Sequence, residues 1–143
     1  MADKIGTAGY VLENQIGFLL RKANQRHTGI FSGSMPEGLT PTRFAALVKL
    51  HELGPVSQNE LGRLTAMDVA TIKGVVDRLK ARGLVGSATD ETDARRRMVS
   101  LTPKGTELVH IAIEKAIEVT KATKAPLSEK EAKMLETLLA RIA

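Results

Sequence analysis

The sequence of 143 residues has no cysteine, few aromatic residues and no long apolar run. Without cysteine the chain has no disulfide, no cysteine-bound zinc or iron–sulfur cluster and no thiol nucleophile. Aromatic side chains make up 3% of the residues, which argues against a surface that stacks single-stranded bases. No apolar run reaches the roughly 18 residues that a membrane span needs, and residues 1 to 20 are unlike a signal peptide. A soluble, cytoplasmic protein is therefore expected.

The remaining composition is typical of one compact domain. Apolar residues make up 43% of the chain and charged residues 26%, so the chain has enough apolar surface for a core, and disorder fits poorly. The length also fits one domain. We therefore expect residues 1–143 to form a single domain.

Positive charge is concentrated in the middle of the chain. The net charge is +5; residues 57–105 hold nine basic and six acidic side chains, whereas residues 106–143 hold six of each. The middle stretch includes three consecutive arginines, Arg95 to Arg97. Such a run favours binding of a polyanion, although the solvated tip of a hairpin accounts for it equally well.

Two helices are predicted in the first third of the chain. Apolar residues recur at helical spacing over about residues 8–28, so a first helix is expected to end near Gly29. Thr40 followed by Pro41 gives an N-cap with proline at the first helical position. A second helix therefore starts there and is expected to reach about Leu53.

The next segment has the pattern of a helix-turn-helix. Ser57 and Glu60 have the spacing of a capping box, which starts a short helix that reaches about Leu64. After a tight connection Asp68 caps another helix, which ends at Gly83. Two helices joined so closely are typical of a helix-turn-helix. The apolar residues expected to face inward on the second helix are Ile72, Val75, Val76 and Leu79.

A charged hairpin and two further helices complete the pattern. Residues 84–89 and 98–101 are strand-like and bracket the polar residues 90–97. Thr102 and Pro103 start a long helix that Pro126 breaks, and Ser128 with Glu131 forms a capping box for the last helix. The first and last two helices carry more apolar surface than a helix-turn-helix covers. They are expected to pack against one another or against a second copy of the chain.

These motifs resemble those of the MarR family of winged helix-turn-helix transcription regulators. The matching segments are SQNEL at residues 57–61, VDRLKARGLV at 76–85, DAR at 93–95 and VSLTPKG at 99–105. The resemblance implies a mainly α fold (α+β) with a winged helix-turn-helix DNA-binding lobe over residues 40–102, called the central lobe below. It also implies dimerisation helices over residues 1–36 and 103–143.

The resemblance further implies a homodimer on a pseudo-palindromic operator in double-stranded DNA. Each recognition helix enters a major groove and each wing reaches the neighbouring minor groove. On the wing, the resemblance implies that Asp93 orients Arg95, and Arg95 and Arg97 suit a narrow minor groove. Arg96 contacts a phosphate or is simply solvated. The candidate DNA contacts on the recognition helix are Val69, Ala70, Thr71, Lys73 and Gly74.

Two glycines within predicted helices need a reason, because glycine costs roughly 1 kcal/mol relative to alanine there. Close approach to DNA explains Gly74, and so does packing that merely tolerates it. Gly62 lies where the family has a small residue at the contact between the two motif helices, so a structural role is favoured.

The resemblance also implies a small-molecule effector. Many members of the family lose DNA affinity when a small phenolic or aromatic acid binds between the dimerisation helices and the DNA-binding lobe. His51 is expected to face the interior, where a hydrogen-bonded core histidine is the alternative role, and Arg43 either pairs with a carboxylate or is solvated. The candidate effector-binding residues are Phe18, Arg43, Phe44 and His51.

The predicted function is a sequence-specific transcriptional repressor that an aromatic phenol or carboxylate releases from its operator. No enzyme and no cofactor are expected, because the three histidines are scattered and no glycine-rich phosphate loop follows a strand. Two alternatives stay open. One is a metal-responsive regulator that uses histidine and carboxylate ligands. The other is a winged-helix module that binds protein, or binds DNA without operator selectivity and with steep salt dependence.

Overall fold

The computed structural model describes residues 7–143, which form six α-helices and three short strands. In chain order these are α1 (Ile16–Ser34), α2 (Pro41–Leu53), β1 (Val56–Ser57), α3 (Gln58–Leu64), α4 (Val69–Ala81), β2 (Val85–Thr89), β3 (Arg97–Leu101), α5 (Pro103–Lys124) and α6 (Glu129–Ile142). Short 3-10 turns precede α1 and α2. The predicted fold class is confirmed.

Five of the helices begin after a residue whose side chain caps the helix. At each start a side-chain oxygen accepts a hydrogen bond from the backbone N–H three residues later. The capping box at Ser128 is complete, because Glu131 accepts from the Ser128 backbone N–H at 2.9 Å. The box predicted at Ser57 is only half formed, because the Glu60 carboxylate binds Arg63 instead. The capping residues are Thr40, Ser57, Asp68, Thr102 and Ser128.

Both predicted bounds of the first helix, about residue 8 and near Gly29, are wrong. α1 begins at Ile16 and continues to Ser34. Burial of Phe31 and Met35 in the core holds this added turn in place. The helix ends before Pro36, since a residue that precedes proline is disfavoured in the helical conformation.

The sheet contains one strand that the sequence pattern did not reveal. β2 and β3 form the predicted hairpin, in antiparallel register from Val85 opposite Leu101 to Thr89 opposite Arg97. On the other edge of β3, the two-residue strand β1 pairs Val56 with Val99. The strand order is β1-β3-β2, so the wing is anchored to the segment that leads into α3.

The core lies between the helices of the central lobe and α5. The inward-facing stripe predicted for α4 is buried, and it shares one apolar cluster with Leu47 of α2, Leu61 of α3 and Val99 of β3. Val109 and Ala112 bring α5 into the same cluster. The position of α4 is therefore set by packing on all its inner neighbours.

Polar contacts at the end of α5 supplement the apolar packing between α1 and α5. The Arg26 guanidinium donates to the carbonyl oxygens of Ala122 and Thr123 at 3.0 and 2.8 Å, which satisfies acceptors left over at the end of α5. His27 Nδ1 lies 2.8 Å from the hydroxyl of Thr123. Within the described residues, no helix is long and apolar enough to cross a membrane.

The apolar face of α6 is not covered by the described part of the chain. Ala132 is the buried residue of this helix, and its large apolar side chains are between 37% and 64% exposed. The start of α1 shows the same pattern at Ile16, Leu19 and Leu20. The exposed apolar residues of α6 are Met134, Leu135, Leu138, Leu139 and Ile142.

Candidate DNA interface and effector cleft

The outer face of α4 brings the five recognition-helix candidates onto one exposed surface. Because the opposite face of the helix is buried, Ala70, Thr71, Lys73 and Gly74 point outward, and Val69 is 70% exposed although it is apolar. An aliphatic side chain held in water is suited to contact with an apolar group of a ligand, such as a thymine methyl. The outer face of α4 therefore combines small residues, apolar side chains and hydrogen-bond donors.

Asp77 is a residue of this surface that sequence reasoning missed. The ammonium of Lys73 donates to its carboxylate at 2.8 Å, one turn along the helix. This contact lowers the pKa of Asp77. The i,i+4 spacing of a lysine and an aspartate is the signal that could have revealed the pair. The pair holds the Lys73 ammonium at the exposed face of α4.

The structure distinguishes the roles of the two helical glycines. A Cβ atom at Gly62 would lie 3.0 Å from the Ile72 side chain and 3.1 Å from the carbonyl of Met67, so the contact between α3 and α4 needs glycine. A Cβ atom at Gly74 would meet no described atom within 4 Å. Packing within the chain therefore gives no reason for glycine at position 74.

Asp93 makes the contacts that a residue positioning Arg95 must make. Its carboxylate accepts hydrogen bonds from the Arg95 backbone N–H at 3.0 Å and from Arg95 Nε at 3.2 Å. These bonds lower the pKa of Asp93. The Arg95 side chain is nonetheless 91% exposed. Asp93 therefore orients the Arg95 side chain, whose guanidinium remains accessible to a ligand.

The other two wing arginines differ in their surroundings. Arg97 donates to the hydroxyl of Ser87 on the neighbouring strand at 3.2 Å. Arg96 lies 3.5 Å from the carboxylate of Asp90, which also accepts two hydrogen bonds from Thr92 at 3.0 Å. The contacts with Thr92 and Arg96 lower the pKa of Asp90. Arg96 is therefore engaged in closing the hairpin tip.

A polar groove of about 520 Å³ separates the wing from the start of α3. The three wing arginines line one wall, and Arg63 lies on the other. Arg63 is paired with Glu60, and this pairing raises the pKa of the guanidinium. The groove extends the basic surface of the wing toward the helix-turn-helix.

Phe44 lines an apolar cleft of about 530 Å³ between α2 and α5. Its ring packs edge-on against Phe31, with the ring centroids 5.6 Å apart. Lys121 and Lys124 also line this cleft, where each pairs with a glutamate, Glu118 at 3.5 Å and Glu136 at 2.8 Å, and Glu52 adds a carboxylate. Arg43, the neighbour of Phe44, is half-buried at the start of α2. The apolar lining residues are Phe44, Val48, Ile113, Ala116 and Ile117.

The structure does not bring Phe18 to this cleft within one subunit. Phe18 lies thirteen residues before Phe31 on α1, which is about 20 Å along the helix axis. Its ring instead faces the ammonium of Lys22, 5.6 Å from the ring centroid.

The expectation that His51 faces the interior is wrong. The buried face of α2 is centred on Ala46, Leu47 and Leu50, which turns His51 to the surface. There its ring meets that of His110 on α5, with centroids 5.0 Å apart and planes at 84°. Among residues 7–143, no group of three or more histidine or carboxylate side chains could hold a metal ion.

Comparison with known proteins gives matches over the whole architecture. Residues 39–96 match the model of the MarR family. The HTH-type transcriptional repressor NicR of Pseudomonas putida is 42% identical over 123 residues, which span 85% of this chain and 78% of NicR. The crystal structure of a probable transcriptional regulator from Pseudomonas aeruginosa is 51% identical, with a TM-score of 0.90, and the match covers 93% of this chain and 100% of that one.

A third match concerns a protein with a known small-molecule ligand. It is the structure of BpsR from Bordetella bronchiseptica, whose DNA binding is regulated by 6-hydroxynicotinic acid. BpsR is 37% identical to this chain, with a TM-score of 0.90, and the match covers 94% of this chain and 97% of BpsR. The similarity to these structures therefore includes the flanking helices.

Proposed function

This chain belongs to the MarR family of non-enzymatic, DNA-binding transcriptional regulators, and from that premise we propose that it is a homodimeric repressor released from its operator by a hydroxylated aromatic carboxylate. The observation that carries the DNA-binding part is the exposed face of α4 beside a wing arginine held by Asp93. The observation that carries the ligand part is the cleft beside Phe44.

The outer face of α4 enters a major groove of the operator. Thr71 and Lys73 donate to base edges or phosphates, and Val69 and Ala70 lie against thymine methyl groups. Gly74 leaves room for the helix backbone to approach the bases, which accounts for a glycine that packing does not require.

The wing enters the adjacent minor groove. Arg95, oriented by Asp93, and Arg97, steadied by Ser87, bring guanidinium groups to the negative potential of a narrow groove. Arg63 contacts the phosphate backbone from the other side of the polar groove.

A second copy of the chain covers the apolar faces of α1 and α6. Those faces are exposed in the described chain, and a two-fold dimer buries the same patch on both subunits. The two recognition helices then read half-sites about 34 Å apart, which is one turn of DNA.

The cleft between α2 and α5 fits a flat ring that carries a carboxylate. Its walls are mostly apolar, and the ammonium groups of Lys121 and Lys124, which pair with Glu118 and Glu136 in the described chain, are the cationic partners for an anion. BpsR is regulated by 6-hydroxynicotinic acid, a hydroxylated pyridine carboxylate, and we assign the same ligand class to this chain. Phe44 contacts the ring, whereas Arg43 and His51 do not line the cleft in the described chain. Phe18 takes part only if the partner subunit's α1 lies against the cleft.

The ligand acts by shifting the population of dimer conformations. It binds better to a dimer whose recognition helices are misplaced for two successive major grooves. Its effect on operator affinity cannot exceed the ratio of its affinities for the two conformations.

The test is a titration of the operator-bound protein with 6-hydroxynicotinic acid, followed by fluorescence anisotropy of the labelled duplex. We expect release by this acid and no release by its neutral amide, 6-hydroxynicotinamide. Lys121→Gln should weaken the response about tenfold, because a charge-assisted contact is lost. Lys115→Gln, on the same helix but outside the lining of the cleft, is the matched control. Release that is unchanged in Phe44→Leu and Lys121→Gln would contradict the assignment of the cleft.

A further inference from the structure

The contact between His51 and His110 joins two helices that are 59 positions apart in the sequence. Both rings are exposed, and among residues 7–143 neither ring makes a hydrogen bond or an ion pair. His27, by contrast, has a hydroxyl partner in Thr123 and packs against Phe31. The ring nitrogens of His51 and His110 are therefore available to a ligand.

The two rings are close enough for one metal ion to bind both. With metal–nitrogen distances of about 2.0–2.1 Å and a tetrahedral angle, two imidazoles on one ion have ring centroids roughly 5 Å apart. The observed separation is 5.0 Å. Because both side chains are exposed, rotation about their side-chain torsions can turn one nitrogen of each ring toward a common point without disturbing the core.

The charges near the pair favour a cation. Glu107 and Glu114 lie one turn before and one turn after His110 on α5, so they add negative charge to this side of the helix, although neither carboxylate forms a three-ligand group with the two histidines. On α2, Lys49 is neutralised by Glu52, at 2.9 Å. Neutral imidazole binds Cu²⁺, Ni²⁺ and Zn²⁺ well, with Cu²⁺ bound most tightly.

We propose that His51 and His110 form a two-imidazole binding site for a divalent transition metal, with water in the remaining coordination positions. The ion ties α2 of the central lobe to α5 of the flanking helices. A site with two protein ligands holds an exchangeable ion and differs from the closed four-ligand site of a structural metal. The proposal concerns metal binding by the protein alone and does not depend on the operator or the effector.

The test is isothermal titration of the full-length protein, free of any histidine tag, with CuCl₂, NiCl₂ and ZnCl₂ in separate experiments. We expect one ion per subunit, bound most tightly for copper. The loss of a second-shell partner alone weakens a metal site by about 10–100-fold, so removal of one of two direct ligands should weaken it at least about tenfold. We therefore expect that loss in both His51→Gln and His110→Gln, with His27→Gln as the matched control that binds like wild type.

Copper binding can also be followed by spectroscopy, which reports how many imidazoles coordinate the ion. Nitrogen hyperfine structure in the electron paramagnetic resonance spectrum should indicate two imidazoles in wild type and one in either single variant. Unchanged binding in His51→Gln or in His110→Gln would overturn the proposal. Equal loss in His27→Gln would overturn it as well, since the ion would then lie elsewhere.

Discussion

The central lobe and the last helix differ in how far their apolar residues are buried. In the lobe, Leu47, Leu61, Ile72, Leu79 and Val99 are almost completely buried within the chain. In α6 the large apolar side chains are between 37% and 64% exposed. The packing inside one chain therefore accounts for the lobe that carries α4 and the wing, whereas α6 carries a face that this packing leaves uncovered. The difference indicates that the lobe is a preformed unit and that the flanking helices are shaped for contact with another molecule.

The central lobe is joined to the flanking helices where α5 begins. The Thr102 backbone N–H donates to the carbonyl of Leu84 at 3.1 Å, and its hydroxyl donates to the carbonyl of Gly83 at 2.6 Å. The Lys104 ammonium donates to the carbonyl of Arg82 at 3.1 Å. The start of α5 is thus bound to the segment between α4 and β2, so a movement of α5 carries the recognition helix with it.

The largest effect is expected at this junction. A Cβ atom at Gly105 would lie 2.0 Å from the carbonyl oxygen of Leu84, so Gly105→Ala forces the two backbones apart. We expect it to lower the free energy of unfolding by about 3 kcal/mol, measured by urea denaturation. Gly33→Ala in α1, where a Cβ atom meets no described atom within 4 Å, is the control and should not destabilise the protein. Equal stability of Gly105→Ala and wild type would mean that the lobe is not locked to α5.

The second prediction concerns the uncovered face of α6. Leu138→Glu places a charge on that face, and we expect dimerisation to weaken by about 2 kcal/mol, roughly thirtyfold, because the interface must bury an unpaired carboxylate. Sedimentation equilibrium measures the dissociation constant. Ala140→Glu adds the same charge to the opposite side of α6 and should leave dimerisation unchanged. If Leu138→Glu remains as dimeric as wild type, this face is not the contact between subunits.

The third prediction contrasts two glycines inside the lobe. Gly74→Ala should raise the free energy of unfolding by about 1 kcal/mol, because alanine favours helix and nothing described lies within 4 Å of the new Cβ. The same variant should bind operator about tenfold more weakly, since the methyl group lies on the face proposed to approach DNA. Gly62→Ala should lose stability instead, as its Cβ would press on Ile72. If Gly74→Ala binds operator as tightly as wild type, the outer face of α4 is not part of the DNA interface.

The smallest effect is expected on the wing. The pKa of Asp93 is lowered by its bonds to Arg95, so the ordering of Arg95 is complete above the ordinary aspartate pKa of about 3.9. The ordering is lost as the pH falls through the lowered pKa. In NMR spectra the Arg95 amide should shift over that range in wild type and not in Asp93→Asn. The variant should bind operator within about fivefold of wild type at neutral pH, because the pair is exposed. A wild-type Arg95 amide that does not respond to acid would contradict the role of Asp93.

The parts of the fold predicted well from the sequence are those set by neighbouring residues. Three helix caps bond to residues only three positions away, so their spacing can be recognised in the sequence. They are Thr40, Asp68 and Ser128. The inward stripe of α4 follows from helical periodicity alone. The exposed candidates on that helix follow from the same periodicity, whereas their contacts with DNA remain predictions.

The parts that sequence reasoning missed depend on distant contacts. β1 is two residues long and exists because Val56 pairs with Val99. The last turn of α1 depends on burial of Phe31, and the need for glycine at position 105 arises from the carbonyl of Leu84. The apolar stripe of α2 that contains Phe44 predicts an interior His51, whereas the helix buries a face centred on Ala46, Leu47 and Leu50. None of these features has a signal within a short window of sequence.

The most direct test of the account is selection of duplexes from a random DNA pool by the purified protein, carried out at two salt concentrations. Two recognition helices in a two-fold dimer predict an enriched inverted repeat at both concentrations, with half-sites about 34 Å apart. Binding that is blind to sequence and falls steeply with salt would contradict the account. That result would instead describe a winged-helix module without operator selectivity.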